Sequence, residues 1–193
     1  WSEESLLKVK ELNKPVFVSV GYLSCHWCHV MSKEVFDDLD VSEVLNESFV
    51  CIKVDRLEHP DVDESLMKAL QVMNDEGGWP LNIFLTPQLR PFYGGTFFPK
   101  NDSYGKIGFL RLVKNMAEVW ESRREEISDF SNQVFSILEQ DSEQREYLEK
   151  EYSNELFKKY FDVCRREADM KNGGFGKGAK FPNWSCLSYL LKY

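Results

Sequence analysis

Apolar positions in the first half of the chain alternate between short β-branched runs and helical repeats. The runs, separated by turn residues, predict four strands at residues 16–20, 49–54, 81–85 and 91–95. Apolar residues that recur every three or four positions predict helices at 2–13, 28–36 and 41–46, and from Pro60 onwards. Two strand–helix–strand crossovers followed by a hairpin predict an α/β fold, with a mixed sheet and helices on both of its faces.

After the hairpin the pattern becomes helical. It predicts one long helix over 109–140, a charged amphipathic helix over 143–168, a glycine-rich loop over 173–178 and a last helix from Asn183 or Trp184. The apolar stripes of this tail have no obvious partner within the chain. We therefore expect two parts, an α/β domain at 1–140 and the start of an incomplete all-α unit at 141–193.

Composition narrows the possible partners. A hydrophobic fraction of 42% is ample for a packed core, and a net charge of −8 without a basic stripe predicts no nucleic-acid partner. No apolar run approaches the roughly 20 residues that span a bilayer, so we expect no membrane partner. The five cysteines are an odd number with one meaningful spacing, which favours a reducing, cytoplasmic location over a secreted disulfide framework. The oligomeric state is left open.

The clearest chemistry lies in Cys25 and Cys28, a Cys-x-x-Cys pair at the head of the second helix. The first turn of a helix presents unpaired N–H groups and the positive end of its dipole. A thiolate on Cys25 is stabilised there, so its pKa is expected below the free value of about 8.5. We predict that Cys25 is exposed and attacks a disulfide, and that Cys28, held deeper, resolves the mixed disulfide.

Neighbouring residues are candidates for tuning the pair and contacting substrate. When protonated, His26 and His29 add positive charge beside the thiolate, which predicts a more oxidising pair. Trp27 either stacks on substrate or covers the helix start. Trp79-Pro80 directly precedes the third strand, where thioredoxin-like folds carry a cis proline opposite the dithiol. We therefore predict a cis bond and a substrate-binding role for Trp79 and Pro80.

Other interpretations of the motif stay open. Cys-x-x-Cys-His is also the attachment signature of haem, which needs export and a second axial ligand. Cysteine and histidine are zinc ligands, but Cys51 and His59 stand alone and supply no second pair, so we predict no metal and no cofactor. The main rival is an unreactive structural pair in a thioredoxin-shaped module.

Structural roles are expected for the remaining chemistry-bearing residues. The pattern places Cys51 in a strand buried on both faces, and Cys164 and Cys186 on helices. Asp55 and Arg56 are expected to form a solvated ion pair at a strand end. The helix that follows begins with further acids, Asp61 and Asp63, which suit its N-terminus and do not suggest a metal site.

Several ordered motifs resemble one family. They include Gly-Tyr-Leu-Ser-Cys-His-Trp-Cys-His-Val-Met at 21–31 and Gly-Gly-Trp-Pro-Leu-Asn at 77–82, with shorter matches at 54–56, 60–63, 84–87, 94–99, 173–176 and 180–182. Together they are similar to the N-terminal domain of the spermatogenesis-associated, or YyaL-like, family. The resemblance implies a thioredoxin-like three-layer α/β/α sandwich, followed by a six-hairpin (α/α) toroid of which this chain holds only the first helices.

One departure bears on activity. Many thioredoxins place a buried carboxylate on the strand before the dithiol, where this chain has Ser19. A narrower substrate, or an oxidase or isomerase role, is then easier to accommodate than general reductase turnover. The leading hypothesis is a thiol–disulfide oxidoreductase acting on a protein or small-molecule disulfide. The alternative is an interaction or regulatory module, attached to a glycan-active type of toroid, whose dithiol reacts little.

Overall fold

The structure is a computed structural model that describes residues 1–75, 77–103, 105–146, 154–176 and 184–192. The chain divides into two compact units, Trp1–Gln144 and Arg145–Tyr193, each described by itself below. The strands of the first unit are β1 Val16–Gly21, β2 Val50–Asp55, β3 Leu81–Leu85 and β4 Pro91–Gly95. Its helices are α1 Glu3–Leu12, α2 His26–Met31, α3 Leu39–Ser48, α4 Pro60–Asn74, α5 Phe109–Ser122 and α6 Arg124–Glu146, with a π-helical turn at Ser32–Phe36.

The four strands form one mixed sheet in the order β2-β1-β3-β4. β1 pairs in parallel with β2, because the chain crosses over through α2 and α3 between them. β3 runs antiparallel to β1 and to β4, and β3 and β4 form the predicted hairpin. The predicted mixed sheet is therefore confirmed.

Alternation along β1 sends side chains to two separate cores. Phe17 points to one face, where it packs with residues of α2, α3 and α5 such as Met31, Leu45 and Phe109. Val18 points to the other face, where the apolar residues of α1 and α4 pack. Burying one stripe of each helix against a sheet face gives the three layers that the sequence predicted. The fold is thioredoxin-like.

The helix beginnings follow from local sequence. Ser2 caps α1 in a reciprocal box with Ser5, and Pro60 occupies the first turn of α4, where its missing N–H costs nothing. Asp38 caps α3 by accepting the Val41 N–H at 3.2 Å. Lys100 contacts the same carboxylate at 2.6 Å, and this hydrogen bond holds the pKa of Asp38 below its ordinary value.

The single helix predicted over 109–140 is wrong, because the structure breaks it at Arg123. That residue leaves helical geometry (φ −136°, ψ 39°) and separates α5 from α6. The sequence has no glycine or proline there, so nothing local signalled the break. An unbroken helix would run about 48 Å and leave the domain. After the break α6 packs within the first unit, where the centroid of the Phe135 ring lies 4.7 Å from the Arg90 guanidinium.

The expected burial of Cys51 is also wrong. β2 lies at the edge of the sheet, and its side chains alternate between buried and exposed, with Cys51 on the exposed side. Although the residue reaches solvent, its thiol lies 3.6 Å from the Leu45 carbonyl in a cavity beside α3. Desolvation by these neighbours raises the pKa of Cys51 to about 11.

In the second unit, the structure describes α7 Asn154–Glu167 and α8 Trp184–Leu190. The Tyr189 ring lies 6.2 Å from that of Phe157 and 4.9 Å from that of Tyr160. The expectation that the tail's stripes lack a partner is therefore wrong for this side of α7. Parts of the predicted 143–168 helix and 173–178 loop, the 180–182 motif and the Asn183 helix start lie outside the described residues. None of the described helices is both long and apolar enough to cross a membrane.

Candidate functional site

The cysteine pair lies at the connection between β1 and α2. β1 ends at Gly21, a short turn follows, and Cys25 is the N-cap residue of α2. The turn is closed by the Cys25 N–H, which donates to the Tyr22 carbonyl at 3.1 Å. Cys25 and Cys28 are joined by a disulfide with an S–S distance of 2.17 Å and a Cα–Cα distance of 5.3 Å. The predicted position of the pair, with its sulfurs within bonding distance, is confirmed.

The first turn of α2 directs an amide at one of the two sulfurs. The Cys28 N–H donates to Cys25 Sγ at 3.2 Å, which is the contact an N-cap side chain makes. The Cys25 carbonyl accepts the His29 N–H at 3.2 Å, so the backbone around that sulfur is fixed. Because an amide hydrogen and the positive end of the helix face Cys25 Sγ, negative charge is best placed on this sulfur.

The exposure of the two cysteines is the reverse of the prediction. Cys25 is only 5% exposed, whereas Cys28 is half-buried. In the turn before α2, the His29 ring makes a 2.5 Å hydrogen bond between Nε2 and the Leu23 carbonyl. The sequence shows that Cys25 begins a helix, but not that the residue is buried there.

A cleft of about 420 Å³ opens beside Cys28. The residues that line it with Cys28 come from the end of β1 and the turn after it, from α2 and the π-helical turn, and from the end of β2 and the segment after it: Gly21, Tyr22, Leu23, His29, Ser32, Lys53, Val54, Asp55 and Glu58. Charged side chains of both signs therefore line the cleft beside Cys28. The predicted substrate residues Trp27, Trp79 and Pro80 are not among the described residues that line this cleft.

Gly21 is required by the close approach of Cys28. A Cβ added at Gly21 would lie 2.9 Å from Cys28 Sγ and 3.3 Å from Cys28 Cβ, closer than atoms of these types pack. We expect Gly21→Ala to lower the unfolding free energy of the oxidised protein by about 1–2 kcal/mol, since overpacking forces the bonded sulfur to move.

Chemical denaturation with and without reductant checks this expectation. The loss should shrink in the reduced protein, where the Cys28 side chain is free to rotate away. Gly77→Ala is the matched control, because its added Cβ meets the flexible end of Gln71 at 3.3 Å. Equal losses in the two redox states would show that the Gly21 contact with Cys28 Sγ does not matter.

The side chains between and after the cysteines point outwards. Trp27 is 53% exposed, and its ring contacts Phe97 at 4.8 Å and His26 at 5.4 Å. His26 and His29 are both exposed. Trp27 thus presents an aromatic face to solvent next to the disulfide while resting on Phe97, an arrangement compatible with both roles considered for it.

The Trp79-Pro80 bond is cis, as predicted. Pro80 is buried and directly precedes β3, whose Leu81 is the register partner of Val20 on β1. The next residue of β1 is Gly21, the one that abuts Cys28. Strand pairing therefore brings the Trp79-Pro80 segment to the same end of the sheet as the disulfide. The Tyr22 ring, 5.9 Å from that of Trp79, joins the two segments.

A buried acid, whose contact with Trp79 the sequence did not predict, holds Trp79. Asp63 is 5% exposed, and its Oδ1 accepts the indole N–H of Trp79 at 2.7 Å. Arg56 Nε lies 3.0 Å from Asp63 Oδ2, an ion-pair distance whose angle falls outside hydrogen-bond geometry. The Arg56 guanidinium also stacks 3.8 Å from the centroid of Trp79. We call Arg56, Asp63 and Trp79 the tryptophan clamp.

The clamp corrects two expectations. Arg56 was expected to pair with Asp55 in solvent, but it pairs with Asp63, and the Asp55 carboxylate instead accepts the Leu57 N–H at 2.8 Å. Asp63 does lie near the start of α4, as predicted, yet it is buried. Trp79 follows Asp63 by 16 residues, and no local pattern reports a contact at that separation.

Beneath α2 the sheet carries two buried polar residues. Ser19 is 7% exposed, and its antiparallel partner Asn82 is fully buried. The Asn82 amide nitrogen donates to the Thr96 carbonyl at 2.6 Å and lies 3.2 Å from Met31 Sδ, while its Oδ1 has no hydrogen-bond partner. Ser19 thus has an uncharged polar neighbour.

In the described ranges, no group of three or more His, Cys, Asp or Glu side chains could hold a metal ion.

Comparisons with known proteins give one family. The model of the family Thioredox_DsbH, described as a protein of unknown function, DUF255, matches residues 1–139. The chain is 38% identical over 193 residues to the uncharacterized protein B0495.5 of Caenorhabditis elegans, and 37% identical over 199 residues to spermatogenesis-associated protein 20 of Homo sapiens. Each alignment covers the whole chain, but only 26% and 25% of the respective relative. The chain therefore spans about a quarter of these relatives' length.

Among solved structures, a protein titled DsbH Oxidoreductase aligns with 62% of this chain and 81% of its own, at 16% identity and a TM-score of 0.44. A thioredoxin from Thermus thermophilus aligns with 60% of this chain and 81% of its own, at 22% identity and a TM-score of 0.38.

Proposed function

The chain belongs to the Thioredox_DsbH family, and we propose that its Cys25–Cys28 pair is the active centre of a thiol–disulfide oxidoreductase. The observation that carries the proposal is the bonded pair at the start of α2, with an amide hydrogen directed at Cys25 Sγ. A structural disulfide needs no such donor. A sulfur that must carry negative charge during exchange does.

The proposed reaction has two exchange steps. In the reduced protein the Cys25 thiolate attacks a substrate disulfide, forms a mixed disulfide and releases one substrate thiolate. The Cys28 thiolate then attacks Cys25 Sγ, closes the intramolecular disulfide and releases the second substrate thiolate. The substrate gains two electrons, and the two protons of the dithiol pass to its thiols. Run backwards, the same steps oxidise a substrate dithiol.

The substrate is proposed to be a protein or small-molecule disulfide, met in a reducing, cytoplasmic setting and not on a membrane or nucleic acid. We propose that Trp79, Pro80 and Trp27 contact it. The strand pairing that brings residues 79–80 to the same end of the sheet as the disulfide, and the exposed ring of Trp27, support this role. The absence of an acid at Ser19, and the uncharged Asn82 beside it, favour a narrow substrate range over general reductase turnover. No cofactor or metal takes part in the proposed steps, and the exposed His26 and His29 would favour the thiolate when protonated.

Burial of Cys25 favours one second candidate. A sulfur on a residue that is 5% exposed is poorly placed to meet a substrate, as expected of a thioredoxin-shaped interaction module with a weakly reactive dithiol. The two candidates differ in the reactivity of Cys25 once the disulfide is reduced.

Alkylation of the reduced protein separates the candidates. We expect the rate of the iodoacetamide reaction of Cys25 to rise with pH with an apparent pKa below about 8.5, because the helix amides stabilise its thiolate. The reaction should therefore already be fast at neutral pH. Cys51 provides an internal reference in the same sample. Burial raises its pKa to about 11, so its alkylation should begin only in alkaline solution. Peptide mass spectrometry after timed quenching at each pH gives both profiles.

A matched variant assigns the fast reaction. Cys28→Ser should keep it, whereas Cys25→Ser should remove it. An alkylation profile of Cys25 that coincides with that of Cys51 would favour the weakly reactive module over the enzyme.

A further inference from the structure

The second unit contains a further pair of cysteines, whose sulfur atoms are in contact. Cys164 on α7 and Cys186 on α8 are not joined by a disulfide, and their sulfurs lie 3.3 Å apart. They are 5% and 3% exposed, and no other described side chain of this unit is as buried. Around them, the apolar residues of α7 remain partly exposed, with Tyr160 at 44% and Val163 at 41%. The contact between the helices is therefore centred on two sulfur atoms.

The distance makes a bond between these sulfurs accessible. A disulfide needs about 2.05 Å between its sulfurs, so the pair has to approach by roughly 1.3 Å, which small side-chain rotations and a slight movement of α8 can supply. The two cysteines are 22 positions apart and lie on different helices. A bond would therefore join two elements that otherwise meet mainly through aromatic contacts with Tyr189. That separation distinguishes it from the Cys25–Cys28 bond, which closes within one helical turn.

We propose that Cys164 and Cys186 are a second redox site, which a disulfide of a small thiol such as glutathione oxidises to a bond that joins α7 to α8. The Cys164 thiolate attacks the small disulfide, forms a mixed disulfide and releases one small thiolate. The Cys186 thiolate then attacks Cys164 Sγ and releases the second. Two protein thiols become one disulfide, and the small disulfide is reduced to two thiols that take up the two protons.

The surroundings of the pair set the conditions for this oxidation. Desolvation and the hydrogen bond with Cys186 raise the pKa of Cys164, so less thiolate is present at neutral pH. Both residues are also almost fully buried. Oxidation is therefore slower than at the Cys25–Cys28 pair, and the bond, once formed, is protected from the reductant by the same burial. The site responds to sustained oxidising conditions and not to brief ones.

The test equilibrates the reduced chain with buffers of defined ratios of reduced to oxidised glutathione. After acid quenching, free thiols are blocked with a maleimide and peptides are mapped by mass spectrometry. A Cys25→Ser/Cys28→Ser background removes the first pair as oxidant and as competitor. We expect most of the chain to yield a Cys164–Cys186 cross-linked peptide in the oxidising buffers, while Cys51 stays alkylatable.

Two variants and a second readout complete the design. Cys186→Ser should leave Cys164 free or joined to glutathione. It should also abolish an oxidation-dependent slowing of proteolysis within α8, which we expect to be several-fold in the parent protein. Cys51→Ser, the matched cysteine control, should leave both results unchanged. The proposal is overturned if Cys164 and Cys186 stay free under conditions that fully oxidise Cys25 and Cys28 in the unsubstituted chain, or if either one cross-links instead to Cys51.

Discussion

Cys25→Ser is expected to remove disulfide-reductase activity almost completely, measured as reduction of insulin by dithiothreitol in the presence of the protein. Without the sulfur that accepts the Cys28 N–H, no nucleophile remains where the helix start stabilises negative charge. We expect the rate that the protein adds to disappear, so that only the rate of the buffer thiol remains, as for the loss of other covalent nucleophiles.

Cys28→Ser should behave differently. Cys25 still attacks the substrate, but nothing resolves the mixed disulfide, so a covalent adduct should accumulate and be visible by mass spectrometry without reductant. This comparison is informative because Cys28 is the more exposed residue of the pair and lines the open cleft. If Cys25→Ser traps substrate and Cys28→Ser does not, then exposure, and not the helix amide, selects the attacking sulfur, and the assigned roles are interchanged.

Much of the arrangement around the disulfide could be predicted because it depends on local sequence. Strand β1, the turn at Gly21 and a helix that begins at Cys25 follow one another within a few residues, and each has its own signal. The same holds for the hairpin of β3 and β4, whose turn residues lie between two apolar runs. The spacing of apolar residues and the residue types at a turn depend only on neighbouring positions, so one sequence is enough to predict them.

Exposure could not be predicted in the same way, because it depends on what packs against a segment. Cys51 occupies an apolar run typical of a central strand, yet β2 forms an edge, and strand order is decided by pairing across the whole domain. Cys25 is buried at the start of a helix although no apolar run directly precedes it, and the residues that bury it come from the packing of the whole domain. Neither feature leaves a periodic signal in the sequence.

Contacts between distant segments were missed for the same reason. The Cys164–Cys186 contact joins two residues that are 22 positions apart in the sequence. The tryptophan clamp joins the end of β2, the start of α4 and the segment before β3. For Asp63, one sequence feature could have raised the question. It is the acid on the apolar side of α4, three positions before Leu66 and seven before Leu70, and a carboxylate on that side requires a partner.

Asp63→Ala is expected to destabilise the protein by about 2–3 kcal/mol, because it removes the acceptor of the Trp79 indole N–H and the counter-charge of Arg56. Breaking a fully buried pair costs about 3–5 kcal/mol, and the 33% exposure of the Arg56 side chain reduces that figure. Asp63→Asn keeps an oxygen for the indole N–H but not the charge, so we expect about 1 kcal/mol. Urea unfolding, with the slope compared between variants, measures both losses.

Asp61→Ala is the matched control, because Asp61 lies in the same first turn of α4 but is exposed. Its loss removes only a favourable interaction with the helix dipole of about 0.5 kcal/mol.

Stability alone does not show that the clamp serves the active centre. Its ring contacts predict more: releasing Trp79 also frees the segment that holds Pro80 and the Tyr22 side of the turn before Cys25. We therefore expect Asp63→Asn to raise KM for a disulfide substrate several-fold with little change in kcat, while Asp61→Ala changes neither. If Asp63→Asn and Asp61→Ala have equal KM values, the clamp only holds the fold together, and the position of Trp79 is of no consequence for substrate.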